Sequence, residues 1–313
     1  MRPERAYDQP ASESRLRERL SRLPHDIYLE IAGVTLISPA VFLLCLLIAG
    51  PFVYVVWESA FAQGASAAGL ANYRWFLGGT DVWPTFENGL KITGGSVALE
   101  VAVAVPLALL LNQRIPGRGI LRGLVTLPWA VPTIAVATGF LWLADPFYGL
   151  FNQLALWLGA IGQPISILGD PRYAIWAVTL ATAWKGLPLV FIIVLSSLQS
   201  LEPQYLEAAK VDGASWRSQL RHVILPHLRS SLALAAVLSA VYNFALLDLT
   251  FLLTGGGPAG TTTSWPLLLY NQNFVAFDTG RAAVVGIAIF LAGVASLTFV
   301  LGVEGLRRRR LYA

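Results

Sequence analysis

The chain has 313 residues, of which 56% are hydrophobic and 13% charged, with a mean hydropathy of +0.62. Soluble domains carry about 25% charged residues, so this composition excludes an ordinary soluble protein and implies an integral membrane protein. The net charge of +4 reads as membrane topology and anionic lipid contact rather than nucleic-acid binding, and the single cysteine, Cys45, excludes an intramolecular disulfide and a cysteine metal cluster.

Residues 1–33 read as a basic cytoplasmic segment carrying Arg2, Arg5, Arg15, Arg17, Arg19 and Arg22. The positive region is too long for a signal peptide and no small-residue cleavage site is evident, so an uncleaved first helix is expected after it. That helix is the first of six apolar stretches that approach the ~20 residues needed to cross a ~30 Å hydrocarbon core. They run from about Val34 to Trp57, Gly89 to Leu111, Leu121 to Leu143, Tyr173 to Leu198, Leu232 to Leu253 and Ala282 to Gly305. A membrane barrel would show weak ten-residue alternation instead, so the predicted fold is all-α. Pro39, Pro51, Pro106, Pro128, Pro132 and Pro188 lie inside or at the ends of these spans, which implies helices kinked around a cavity. Residues 34–306 therefore form one six-helix transmembrane domain, and 307–313 a basic cytoplasmic tail.

Most of the 22 Lys and Arg fall before the first span, in the turn at Arg114, Arg118 and Arg122, in the segment from Lys210 to Arg229, and at Arg307 to Arg310. Six spans put all four segments on one side, which the positive-inside rule makes the cytoplasm; the loops near 58–88, 144–172 and 254–281 are then outside.

The cytoplasmic segment 201–228 has an internal order of helix, break, helix. Pro203 suits a first helical turn, Gly213 suits the position just past a helix end, and Ser215 can cap a second helix. On that helix Trp216, Leu220, Val223 and Ile224 form one apolar stripe, and Pro226 is expected to end it. His25, His222 and His227 are all cytoplasmic in this topology. His222 and His227 straddle Pro226 without a neighbouring ligand set, which favours a surface or dipole-related role over metal.

The run Glu207-Ala-Ala-Lys-Val-Asp-Gly213, followed after nine residues by Val223-Ile-Leu-Pro226, resembles the cytoplasmic coupling loop of ABC importer permeases; Val223 replaces the usual Ile. Gly69-Leu-Ala-Asn-Tyr73, Leu127-Pro-Trp-Ala-Val-Pro132, Gly149-Leu-Phe-Asn152, Trp184-Lys-Gly-Leu-Pro188 and Leu253-Thr-Gly-Gly-Gly-Pro258 with Thr261 to Thr263 resemble the maltose-type, carbohydrate-importing branch of that family. The resemblance implies a permease working with a second related permease, two ATPase subunits and an external binding protein. It also implies that Glu207, Ala208, Ala209, Asp212, Gly213, Leu225 and Pro226 contact the ATPase. Nothing here binds ATP: Gly255-Gly-Gly-Pro-Ala-Gly260-Thr261 lacks the lysine of a phosphate loop, so ATP and Mg are expected to be used by the partner, with no cofactor, metal or catalytic site in this chain.

By the same resemblance the solute path falls on Thr182, Lys185, Gly186, Leu189, Tyr242, Asn243 and Leu246. Tyr242 and Asn243 offer an aromatic face and an amide, which suit a sugar. Glu100, Lys185 and Asp248 are ionisable groups inside spans, each costing at least ~2.5 kcal/mol to insert. Lys185 and Asp248 read as solute contacts or as an ion pair, and Glu100 as a helix-packing partner. The expected solute is a sugar or related polyol delivered by the binding protein and moved by alternating access; a disaccharide, an oligosaccharide, a polyol such as glycerol and a non-sugar solute such as glycerol phosphate all stay open. An ion-coupled secondary transporter would use Glu100 and Asp248 but gives no reason for the loop.

Overall fold

The computed structural model describes residues 25–61 and 69–312, so Arg2 to Arg22 lie outside the described residues. Among the described residues five helices are long and apolar enough to cross a membrane, or six when one bent pair counts as a single span. The chain divides into two units, the first ending at Trp57 and the second beginning at Glu58. The first unit holds helix α1 (His25–Ser59) as far as Trp57, with Pro39 and Pro51 inside it. From Gly33 to Trp57 it carries no charged residue and is apolar on every face, the pattern of a helix with lipid rather than water at its surface.

In the second unit the helices are α2 (Ala71–Gly78), α3 (Val82–Asn112), α4 (Arg118–Ala130), α5 (Thr133–Leu143), α6 (Leu150–Trp157) and α7 (Pro171–Gln199). They continue as α8 (Pro203–Val211), α9 (Trp216–Phe244), α10 (Asp248–Thr254), α11 (Trp265–Tyr270) and α12 (Thr279–Tyr312). Helix α7 is the centre of this unit and packs along α3, α4 and α9. Small residues permit the approach: Ala174, Ala181 and Ala183 are buried on α7, and a side chain at Gly95 would lie 2.7 Å from Thr179. Ser96 on α3 closes the contact by donating to the Thr179 carbonyl at 3.0 Å.

Two spans differ from the sequence expectation. The third is broken at Val131, where α4 and α5 diverge by 97°. Pro132 forces its predecessor out of helical geometry, and Val131 accordingly sits extended at φ −75°, ψ 129°. The fifth does not begin at Leu232 and does not start afresh after Pro226. Helix α9 runs unbroken from Trp216 to Phe244, and residues 248–253 belong to the separate α10. In a regular helix the Pro226 ring would collide with the carbonyl of His222. A wider π turn over Leu220–Ile224 relieves that opposition and carries the helix past the proline.

The branch-type motifs prove to be joints between elements. Asn72 donates to the Ser59 and Phe61 carbonyls at 3.1 and 2.6 Å, and Gly280 lies so close to Phe61 and Asn72 that no side chain fits. Asn152 exchanges two hydrogen bonds with the Ile165 backbone, at 2.9 and 3.1 Å. In the loop after α10, Thr262 and Thr263 donate to the Gly257 and Gly256 carbonyls, while Asn88 of α3 donates to Gly260 and Thr263. Gly255 and Gly256 take φ values of 56° and 92°, which side chains rarely adopt.

Candidate functional site

The segment 201–226 folds as its local signals require. Pro203 opens α8, Gly213 takes φ 79°, and Ser215 Oγ accepts from the Ser218 N–H at 3.4 Å before α9 begins. Gln219 braces the turn from inside by donating to the Ala214 carbonyl at 2.8 Å. No residue of α8 is buried, so Glu207 and Ala208 are exposed, as are Asp212, Gly213, Leu225 and Pro226, with Ala209 half-buried. Only part of the expected apolar stripe serves the core. Ile224 is buried, but Trp216 is 52% exposed, and Tyr205 and Val211 of the same loop are also uncovered. Exposed apolar side chains on a membrane protein's polar loop suit a surface for a partner.

Inside the bundle, Glu100 of α3 is buried and accepts from Ser239 Oγ and from Asn243 Nδ2, the latter at 2.9 Å. Asn243 also donates to Ser239 at 3.2 Å, the two residues being one turn apart on α9. Gly186 of α7 sits against the Glu100 carboxyl so tightly that an added Cβ would collide with it. One carboxyl thus ties α3, α7 and α9 together. The sequence indicated Glu100 as a packing group but not Ser239, whose signal was its i, i+4 spacing from Asn243.

Lys185 is also buried, and its ammonium donates to the backbone carbonyls of Val131 and Pro128, the latter at 3.4 Å. These carbonyls lie at the break between α4 and α5, where helical partners are missing. The proline-rich motif and the lysine motif are therefore two halves of one joint, a place where a neighbouring span satisfies freed backbone in lipid.

The remaining path residues separate. Tyr242 is 43% exposed and lines a pocket of 780 Å³ with Phe86, Leu90, Thr93, Phe290 and Gly293, between α3, α9 and α12. Asn243, the next residue, points the other way into the Glu100 node. Thr182 is buried within α7, Leu189 is half-buried, and Leu246 packs with Ile92, Val136 and Leu249. Asp248 is exposed in the first turn of α10.

Comparison with known proteins bears on this arrangement. The chain is 34% identical over 273 residues to the trehalose/maltose transport system permease protein MalF of Thermococcus litoralis, covering 86% of this chain and 91% of that one. It is 29% identical over 272 residues to the trehalose transport system permease protein SugA of Mycobacterium tuberculosis, covering 85% of each. Its fold is similar to a chain in the crystal structure of a bacterial ABC transporter involved in the import of the acidic polysaccharide alginate, with a TM-score of 0.75, 20% identity, and coverage of 91% of this chain and 97% of that one. Residues 101–309 match the family described as binding-protein-dependent transport system inner membrane component. The buried joints, the exposed loop and these similarities lead to one conclusion: this chain belongs to the binding-protein-dependent transport system inner membrane component family.

Proposed function

We propose that this chain is one permease subunit of an ATP-driven importer, that its solute is a sugar with a disaccharide as first candidate, and that it works by alternating access. The observation that carries the reading is the exposed helix-Gly-helix loop whose second helix runs without interruption into the fifth span. A soluble ATPase gripping Glu207, Ala208, Ala209, Asp212, Gly213, Leu225 and Pro226 would act on a transmembrane helix directly. The names of the trehalose/maltose and trehalose permeases support the sugar class. An alginate transporter of the same fold in complex with its periplasmic protein supports an external binding protein as a partner. A second related permease and two ATPase subunits complete the assembly. ATP and Mg are consumed in those subunits, and this chain has no catalytic site of its own. The arginine distribution supports a cell-membrane, multi-pass placement with both termini in the cytoplasm.

Within this chain the cavity wall is Tyr242, whose ring can stack on the C–H face of a pyranose. Asn243 and Gly186 meet at the Glu100 node on the other side of α9, while Thr182, Lys185, Leu189, Leu246 and Asp248 do not line this pocket. Moving the complex from 1:99 to 99:1 between inward and outward states takes ~5.5 kcal/mol of differential stabilisation. The test is uptake of radiolabelled trehalose and maltose, with sn-glycerol 3-phosphate for comparison, into proteoliposomes carrying the whole importer. Sugar uptake requiring both ATP and the binding protein is expected, and Tyr242→Ala should reduce it. Uptake driven by an ion gradient without ATP would overturn the reading.

A further inference from the structure

The two chain segments that enter and leave the 201–226 loop are fastened to each other by side chains. His227 Nε2 lies 2.9 Å from the Ser197 carbonyl and 3.3 Å from Ser200 Oγ. Ser200 spends its own hydroxyl proton on the Ser197 carbonyl at 2.8 Å, so its oxygen is free to accept. Both partners of Nε2 are then acceptors, which fixes the proton on Nε2. One turn further along α9, Ser231 Oγ donates to Ser197 Oγ at 2.9 Å. The other loop histidine plays no part, since His222 Nδ1 turns back to Ser218 of its own helix, with the carbonyl at 3.0 Å.

The position of this contact matters. At the end of α7 the Ser197 carbonyl takes the Ser200 N–H at 3.2 Å as well as the Ser200 hydroxyl, and the negative end of the helix dipole favours a further donor there. On the opposite side of the neck, a π turn over Leu220–Ile224 carries α9 past Pro226, and His227 is the residue that follows. We infer that His227 is a positioning residue for coupling: it clasps the exit of the loop to its entrance, so that force on the loop reaches the fourth and fifth spans together. The inference rests on the reading of the loop as the ATPase contact, and it adds a residue outside the Glu-Ala-Ala motif.

The test uses the complete importer with its binding protein, in proteoliposomes, and compares His227→Leu, His227→Gln and Glu207→Ala. Glutamine can place an amide N–H near the position of Nε2, whereas leucine cannot. ATP hydrolysed and trehalose taken up are measured together. In the same preparations, without cargo, the distance between nitroxides at the exposed positions Gln199 and Arg229 is measured by pulsed electron resonance. His227→Leu should retain the ATPase subunits and near-normal hydrolysis, lose about fivefold in trehalose carried per ATP, the weight of one hydrogen bond, and broaden the distance distribution. His227→Gln should restore both. An unchanged ratio and distance in His227→Leu would overturn the inference, as would loss of assembly that glutamine does not rescue. Full ATPase association and hydrolysis in Glu207→Ala would overturn the docking reading instead, and the nitroxide distance tells the two failures apart.

Discussion

Glu100 and Gly186 are a matched pair: a carboxyl that accepts from α9 and a glycine on α7 whose missing side chain leaves room for it. Gly186→Ala should push the carboxyl off Ser239 and Asn243 and lower stability by about 1–3 kcal/mol, read as a lower melting temperature of the purified complex. Adding Glu100→Ala should recover part of that loss, because the collision disappears with the carboxyl. Strictly additive losses would show that the two residues act separately. The chemistry of this node was half legible in the sequence. An acid inside a span demands a partner, so a packing role for Glu100 could be read from cost alone. Which residues supply the donors depends on how α3 and α9 face each other, and hydropathy carries no such register. Lys185 shows the same limit: a membrane lysine together with Asp248 suggested an ion pair, yet its partners are backbone carbonyls that no side-chain list contains.

At the scale of elements, proline and glycine positions were read well as breaks and less well for the structure beyond each break. Gly213 and Ser215 ended and restarted a helix as expected. Pro226 did not stop one, because a π turn is a tertiary accommodation without a sequence period. Pro132 produced a 97° break where a kink was expected, and Lys185 donates to the carbonyls freed there. Gly213→Val tests the loop's local logic. Open space surrounds the Gly213 Cβ position, so the obstacle is its φ of 79°, worth ~1–2 kcal/mol against a side-chain-bearing residue. The variant should insert into membranes normally while binding-protein-stimulated ATP hydrolysis and solute uptake fall together. Normal stimulation in the purified variant would separate the turn from coupling.

For the whole molecule, the membrane class and the helical fold followed from hydropathy, since apolar length is a direct demand of the bilayer; the six expected spans compare with five among the described residues, or six with the bent pair counted as one. The orientation proposed from arginine placement is open to a direct check. In a Cys45→Ser background, a cysteine at Lys210 should react with an impermeant maleimide only from the cytoplasmic face, and one at Thr261 only from the opposite face. Labelling of both from one face would reverse or break the topology. The pairing of family motifs into joints was not legible, because each motif is short and its partner lies in another element, as with Asn88 and the loop at Gly260 to Thr263.

The unbroken α9 has a further consequence of scale. Its 29 residues make a rod of roughly 44 Å, while the hydrocarbon layer is ~30 Å thick. About a third of the rod therefore stands clear of the bilayer as a rigid shaft. A tilt of about 10° around the Phe244 end swings the Trp216 end by roughly 8 Å, whereas atoms near Asn243 barely translate. On that geometry a wide, low-force stroke in water would become a short, high-force displacement beside the cavity. Inserting one flexible glycine pair into the shaft would uncouple the two ends without touching either surface.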